Sequence, residues 1–310
     1  MSKISIIDIG SNSVMMSVFD ITETTPEQIE EYYQVTQLGE GASKDRVLKE
    51  EPLNRTVNAV KKLKSIAVSQ GITDIIATTT SAVRDAHNKE IFFKKMEEAT
   101  DITPVLLSGE DEAMLTFKGA SSGFSLDEII VTADPGGGST EINIGCPAGD
   151  ILYSKSFQAG CVRFTDDFGF YEKISIDQLE KLRKYLRELF LEISDNNKAK
   201  KLVISGGTAT TFGAIKLKMD NYSSSAINNL YATTEELDHI IVELSKMDIE
   251  KRKAVPGVED ARAKVLPAGL LIISELAKCL KFNGFYITTN GLRYGVALHL
   301  AQGNLLNSIV

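Results

Sequence analysis

The chain is short of the residues on which metal-thiolate and redox chemistry depend. Its three cysteines, Cys146, Cys161 and Cys279, lie far apart with no C-x-x-C pair. That spacing excludes a disulfide framework and a zinc ribbon, and it fits a reducing cytoplasm. The three histidines, His87, His239 and His299, are scattered. No cluster of them supports a metal site or a nucleophile–histidine pair. Basic residues are outnumbered: 34 Lys and Arg against 42 Asp and Glu leave a net charge of −8. A dedicated nucleic-acid binder is usually basic, so that class falls away. An enzyme for an anionic substrate stays in play, because the local field in its cleft is what matters. Long apolar runs are missing too. Ile4–Ile9 and Leu266–Ile273 are too short to span a bilayer. The opening MSKISIIDIG has neither the basic start nor the apolar stretch of a signal peptide.

What is present fits a globular α/β protein. At about 150 residues per domain, 310 residues predict two domains. A chain of that length buries an ample core without disulfides or a structural metal. Short β-rich runs at 4–9 and 14–21 flank a polar turn and predict a hairpin, with a third strand over 30–38. Val57, Val60, Leu63 and Ala67 have helical spacing, stopped by Gly71. A strand over 72–78, a helix over about 82–99 and a short strand over 104–107 follow. Ser108-Gly-Glu-Asp111 reads as a capping box for the next helix. A second round starts at Ile129, with strands over 129–133, 140–144 and 151–157. Ser175-Ile-Asp-Gln178 caps a long amphipathic helix, a strand covers 201–204, and helices dominate thereafter except at 285–288.

The pattern Asp-x-Gly-x-x-Ser occurs twice, at Asp8 and at Asp134, each time between two strands. This reads as a diverged internal duplication, too long in period for a solenoid. It predicts two α/β lobes of related topology facing each other across a cleft. The expected domains are 1–125 and 126–310, with a last helix over about 292–310 free to pack back on the first lobe.

Four turns follow apolar strands: Gly10-Ser11-Asn12-Ser13, Gly136-Gly137-Gly138-Ser139, Gly206-Gly207-Thr208 and Asn290-Gly291. Glycine lets backbone approach a ligand closely, and exposed N–H groups make an anion nest. Tight hairpin turns use the same residues. Two copies of one pattern, each behind a strand-terminal Asp, favour phosphate cradles. Asp8 and Asp134 read either as Mg²⁺ ligands or as Asx-turn caps. Glu110, Asp111 and Glu112 suit a helix N-terminus, and one of them could also face the cleft as a general base; spacing does not choose among them. Arg84, Arg163 and Arg293 sit beside loops, where a guanidinium fork matches phosphate oxygens.

Six strings in order resemble one family: Ile7-Asp-Ile-Gly-Ser-Asn-Ser13, Ala77-Thr-Thr-Thr-Ser-Ala-Val-Arg-Asp-Ala86, Ser108-Gly-Glu-Asp-Glu-Ala113, Asp134-Pro-Gly-Gly-Gly-Ser-Thr-Glu141, Ser205-Gly-Gly-Thr-Ala-Thr210 and Gly291-Leu-Arg-Tyr-Gly295. Together they resemble the exopolyphosphatase / guanosine pentaphosphate phosphohydrolase family, within the actin / sugar kinase / heat-shock-70 superfamily. The resemblance implies two ribonuclease-H-like lobes that close on a phosphate-bearing ligand. It implies that Glu112 is the general base and that Arg84 is the loop arginine. It also implies that Asp134 and Glu141 position Mg²⁺ (or Mn²⁺) and water; Asp8, read from its place at a strand end, is the further metal candidate. Two positions depart from the family pattern. Met15 stands where a basic residue is common, and Tyr294 where a glutamate is. The His-Asp helical domain of longer members has no counterpart within these residues.

The expected activity is hydrolysis of the terminal phosphoanhydride bond of inorganic polyphosphate in the cytoplasm. Guanosine pentaphosphate hydrolysis and a weakly catalytic guanosine tetra- or pentaphosphate sensor are the alternatives. A kinase of the same superfamily would need a sugar-binding insert, and none of that size is present. The expected partners are the phosphate substrate alone, with no nucleic acid and no membrane, and a homodimer is left open.

Overall fold

The structure, a computed structural model, describes residues 2–22, 25–42, 45–149, 151–194 and 198–306. The chain divides into two compact units: Met1–Gly119 with Leu292–Val310, and Ala120–Gly291. The elements begin with β1 (Ser2–Ile9), β2 (Ser13–Thr22), β3 (Thr25–Val35), α1 (Glu50–Ser69), β4 (Asp74–Thr79), α2 (Ser81–Arg84), α3 (Lys89–Thr100), β5 (Val105–Leu106) and α4 (Gly109–Ser121). Next come β6 (Ile130–Pro135), β7 (Thr140–Gly145), β8 (Ile151–Phe157), α5 (Cys161–Asp167), α6 (Ile176–Ser194), β9 (Lys201–Ile204), α7 (Gly206–Lys216) and α8 (Ser224–Ile227). The rest are β10 (Leu230–Thr233), α9 (Thr234–Ser245), α10 (Ile249–Lys253), α11 (Leu266–Cys279), β11 (Gly284–Ile287) and α12 (Leu292–Ala301). No described helix is long and apolar enough to cross a membrane.

In unit 1 the sheet order is β3-β2-β1-β4-β5. β1, β2 and β3 pair antiparallel, while β1, β4 and β5 pair parallel. Side chains alternate between faces along a strand. On one face Ile7 and Ile9 of β1 join Val14, Met16 and Val18 of β2 beneath Leu53, Val57, Val60 and Leu63 of α1 and Phe92 and Met96 of α3. The α1 residues recur at helical spacing, so one stripe of that helix is buried. Each buried Leu or Phe there contributes about 1.5–3 kcal/mol. On the other face Ile6 and Phe19 meet Leu115 of α4 and Val296 and Ala297 of α12. Backbone presses on backbone at that seam, because a Cβ on Gly295 would lie 1.8 Å from the Leu115 carbonyl oxygen.

In unit 2 the order is β10-β11-β9-β6-β7-β8. β6, β7 and β8 pair antiparallel, and β6, β9 and β11 parallel. Read from β8, this repeats the unit 1 order with β10 added at the far edge. The duplicated motif therefore marks a duplicated fold. Helix α11 is buried along nearly its whole length, Leu266 to Ala277. It carries a fully buried Glu275 that accepts from Arg183 and, at 2.7 Å, from Arg187 Nε.

Four local expectations need correction. The helix expected over 82–99 is two, α2 and α3. The break comes where the Asn88 amide grips both backbone groups of Leu48, at 2.9 and 3.0 Å. The third strand runs over 25–35 rather than 30–38, because residues 36–39 turn back onto the first loop. β10 is an unforeseen four-residue edge strand paired antiparallel to β11. The last helix ends at Ala301, where Gly303 takes a left-handed φ of 78° that terminates it. Residues 307–310 of that expected helix lie outside the described residues.

Candidate active site

In unit 1 the first loop hangs between β1 and β2. Gly10 N–H donates to Ser13 C=O at 3.0 Å and closes the turn. The loop's own carbonyls are occupied: Ser11 C=O accepts from Gly39 N–H at 2.8 Å, and Asn12 C=O from Thr36 and Gln37 at 3.0 and 2.9 Å. No peptide bond is cis, and in a planar trans peptide the N–H opposes the C=O of the preceding residue. The N–H groups of Asn12 and Ser13 therefore point away from the segment that braces the loop. Asp8, half-buried, stands across from Met15 on β2 and Thr78 on β4.

β4 then delivers α2, whose Arg84 Nη1 donates to Leu107 C=O at 3.1 Å and to Glu112 Oε2 at 2.9 Å. The three acids at the start of α4 separate cleanly. Glu110 is exposed. Asp111 is tied to Ser108, whose Oγ donates to Oδ2 at 2.8 Å and accepts from the Asp111 N–H at 2.9 Å. Asp111 also lines a cavity of about 330 Å³ with Met114, Leu115 and His299. Glu112, about 100° further round the helix, is the acid that meets Arg84. Its side chain is 19% exposed, against 28% for Arg84.

Unit 2 repeats the construction. Gly136 N–H donates to Ser139 C=O at 2.9 Å. The carbonyls of this second loop are also occupied, here by the first turn of α5. Cys161 N–H donates to Gly136 C=O at 2.9 Å, and Val162 N–H to Gly137 C=O at 2.9 Å. Arg163 Nε donates to Gly138 C=O at 3.1 Å. By the same peptide geometry, the N–H groups of Gly137, Gly138 and Ser139 point away from α5. Gly160 permits the contact, since a Cβ there would lie 2.2 Å from the Gly137 carbonyl oxygen.

Asp134 stands across from Glu141 in the β6–β7 ladder. Its Oδ2 accepts from Ser205 Oγ at 2.9 Å. Gly206, with φ +83°, lets the α7 N-terminus close on it; a Cβ there would be 2.3 Å from Asp134 Oδ1. The positive end of α7 favours the carboxylate. Glu141 Oε1 accepts from Ser139 Oγ at 2.7 Å and Ser156 Oγ at 2.8 Å. Two adjacent carboxylates are a hard-oxygen pair, suited to a cation that keeps several waters. In unit 1 the residue level with Glu141 is Met15, across from Asp8. Among the described residues no group of three or more His, Cys, Asp or Glu side chains forms a closed metal cage.

Thr208 behaves differently from the turn it ends. It is buried, and a Cβ on Gly269 of α11 would lie 2.7 Å from its Oγ1. Its side chain packs against Gly269 of α11, and its hydroxyl interacts with the Cys161 thiol. Sequence reading also passed over Arg262, whose guanidinium rests on Gly207; a Cβ there would lie 2.0 Å from it. The Cys161 thiol behind the second loop is pushed up by burial, with Arg262 pulling the other way. Arg262 lies far from the loops in sequence, and its only signal was its charge. Of the other loop arginines, Arg163 braces the second loop, and Arg293 donates to Ser17 Oγ at 2.7 Å and pairs with Glu31.

The sequence profile of the Ppx/GppA phosphatase family matches residues 17–303. The chain is 32% identical over 283 residues to a bifunctional 3-dehydroquinate synthase/phosphatase of Fusobacterium nucleatum, covering 87% of this chain but only 42% of that protein. It thus spans about two fifths of the length of that relative. It is 25% identical over 318 residues to exopolyphosphatase 2 of Mycobacterium tuberculosis, covering 97% of this chain and 99% of that one. Among solved structures, an exopolyphosphatase from Cytophaga hutchinsonii superposes with a TM-score of 0.89 at 24% identity, over 99% of this chain and 100% of that one. The Aquifex aeolicus Ppx/GppA family member gives 0.85 at 22%, over 97% and 98%. These likenesses show the fold, an actin-like pair of α/β lobes. With the family profile matching most of its length, the chain belongs to the Ppx/GppA phosphatase family.

Proposed function

We propose that this protein is an exopolyphosphatase that releases orthophosphate from the end of inorganic polyphosphate. The observation that carries the reading is the repeated loop: both Asp-terminated hairpins have their carbonyls tied down from behind and their N–H groups turned outward. Each such nest is suited to phosphate oxygens. Arg84 keeps Nη1 on Glu112 and offers Nε and Nη2 to the transferred group. Glu112, fixed in place by that guanidinium, orients the attacking water and takes its proton. The water oxygen bonds to the terminal phosphorus as the bridging P–O bond breaks, and the shortened chain leaves as an anion. Positioning and charge stabilisation do most of the work in phosphoryl transfer. Asp134 and Glu141 are the residues that would hold Mg²⁺ or Mn²⁺, and the ion would offset charge on the phosphates.

Guanosine pentaphosphate is the second reading. Met15 in place of a cation beside Asp8, and a net charge of −8, favour a short polyanion over a very long one. The three free cysteines support a cytoplasmic location. The test is phosphate release from polyphosphate and guanosine pentaphosphate side by side, with Mg²⁺ and with excess chelator. Release that requires the ion and is faster on polyphosphate is expected. Release from neither substrate, with Mg²⁺ or Mn²⁺, would sink the enzyme reading.

A further inference from the structure

The duplication allows residues of the two units to be matched by strand register alone. Asp8 on β1 stands level with Thr78 on β4. Ala133 on β6 stands level with Ile204 on β9, which sets Asp134 level with Ser205. Thr78 therefore matches Ser205, and the Gly206-Gly207-Thr208 turn matches Thr79-Thr80-Ser81. The Gly-rich turns singled out from the sequence do not include this one, because it contains no glycine. The two turns end differently. Thr208 is buried against α11. Ser81 is half-buried, and its Oγ lies 3.3 Å from Oγ of the exposed Ser11 in the first loop. Just before it, Thr79 Oγ1 donates to Ile9 C=O at 3.2 Å, fixing the loop's entry. One turn later comes Arg84.

We propose that Ser81 is a positioning residue for the first loop, orienting the Ser11 hydroxyl toward a phosphate oxygen. The proposal rests on the phosphohydrolase reading above. A hydroxyl has one hydrogen to give and two lone pairs to receive with. If Ser11 donated to Ser81, its only hydrogen would be spent inside the protein. With Ser81 donating to Ser11, the Ser11 hydrogen is free for the anion, and the relay of two hydroxyls polarises the outer one. An oxyanion at the loop selects this second arrangement, because it accepts and does not donate. Ser81 thus lends the loop a directed donor and touches no reacting atom itself.

The experiment uses the full chain with inorganic tripolyphosphate as probe, and compares Ser81→Ala, Ser81→Thr, Ser11→Ala and the double alanine variant. Ser81→Ala is expected to raise KM about 5- to 10-fold with kcat within about twofold, as loss of one charge-directed hydrogen bond does. Ser81→Thr should restore most of the KM, and the double variant should be no worse than Ser11→Ala. An unchanged KM in Ser81→Ala, effects that multiply in the double variant, or no rescue by Thr would each overturn the proposal. Calorimetric binding of tripolyphosphate separates the two levels of inference. A wild type that binds but releases no phosphate defeats the enzyme reading, while the Ser81→Ala affinity still decides the role of Ser81. A wild type that neither binds nor hydrolyses defeats both.

Discussion

Glu112 and Arg84 meet at 2.9 Å, part-shielded from water, at the start of α4. That pairing fixes the direction of the Glu112 carboxylate and leaves it poised to orient a water. Glu112→Gln is therefore expected to cut turnover by about 10²–10⁴-fold with little change in KM. Glu110→Gln and Asp111→Asn should stay within a few-fold of wild type under single-turnover conditions. If either of those were the crippled variant and Glu112→Gln were active, the base would be misassigned. The three acids look alike in sequence because all suit a helix N-terminus. What separates them is the rotation of α4 against α2, a long-range relation that no local spacing contains. The loops were legible for the opposite reason. Glycine, serine and a strand-terminal aspartate announce a tight turn locally, and both turns close by the same N–H to C=O bond. Gly160 and Arg262 were not legible, since each acts on a loop distant in sequence.

At the scale of elements, α5 is a bracket for the second loop more than a core helix. Its first turn donates N–H groups to the Gly136 and Gly137 carbonyls, and Gly160 makes the approach possible. Gly160→Ala must push the two backbones apart. The expected result is a loss of phosphate release of at least about tenfold together with a destabilisation of about 1–3 kcal/mol, because Gly160 is buried against the Gly137 carbonyl. Normal turnover in this variant would show that the loop's position is not set from behind. Capping was read well where it is local: Ser175 and Gln178 exchange the expected pair of bonds at 3.0 and 3.2 Å. The helix over 82–99 was misread because its break is imposed by a non-local partner, Leu48. β10 was missed because a four-residue edge strand has too few residues to show a period.

At the scale of the whole molecule, unit 1 is built from two separated stretches of chain, and α12 closes one face of its sheet. The tight point of that closure is Gly295 against Leu115. Gly295→Ala should destabilise unit 1 by about 1–3 kcal/mol or more. Hydrogen exchange should show faster opening of β1 and β2 than in wild type, with β6 and β9 of unit 2 little changed. Equal loosening of both units would mean that the chain unfolds as one cooperative block.

The split of unit 1 also orders events on the ribosome. Residues 120–291 are contiguous and emerge complete before Leu292 does. Unit 2 can thus collapse around α11 while the first five strands of the nascent chain still lack the helix that covers Ile6 and Phe19. During that interval an apolar sheet face is covered by α4 alone and stands partly open, the kind of surface on which chaperones act and from which aggregates start. A slow stretch of translation just ahead of α12 would lengthen the exposure, whereas one within unit 2 would give that unit time to settle first.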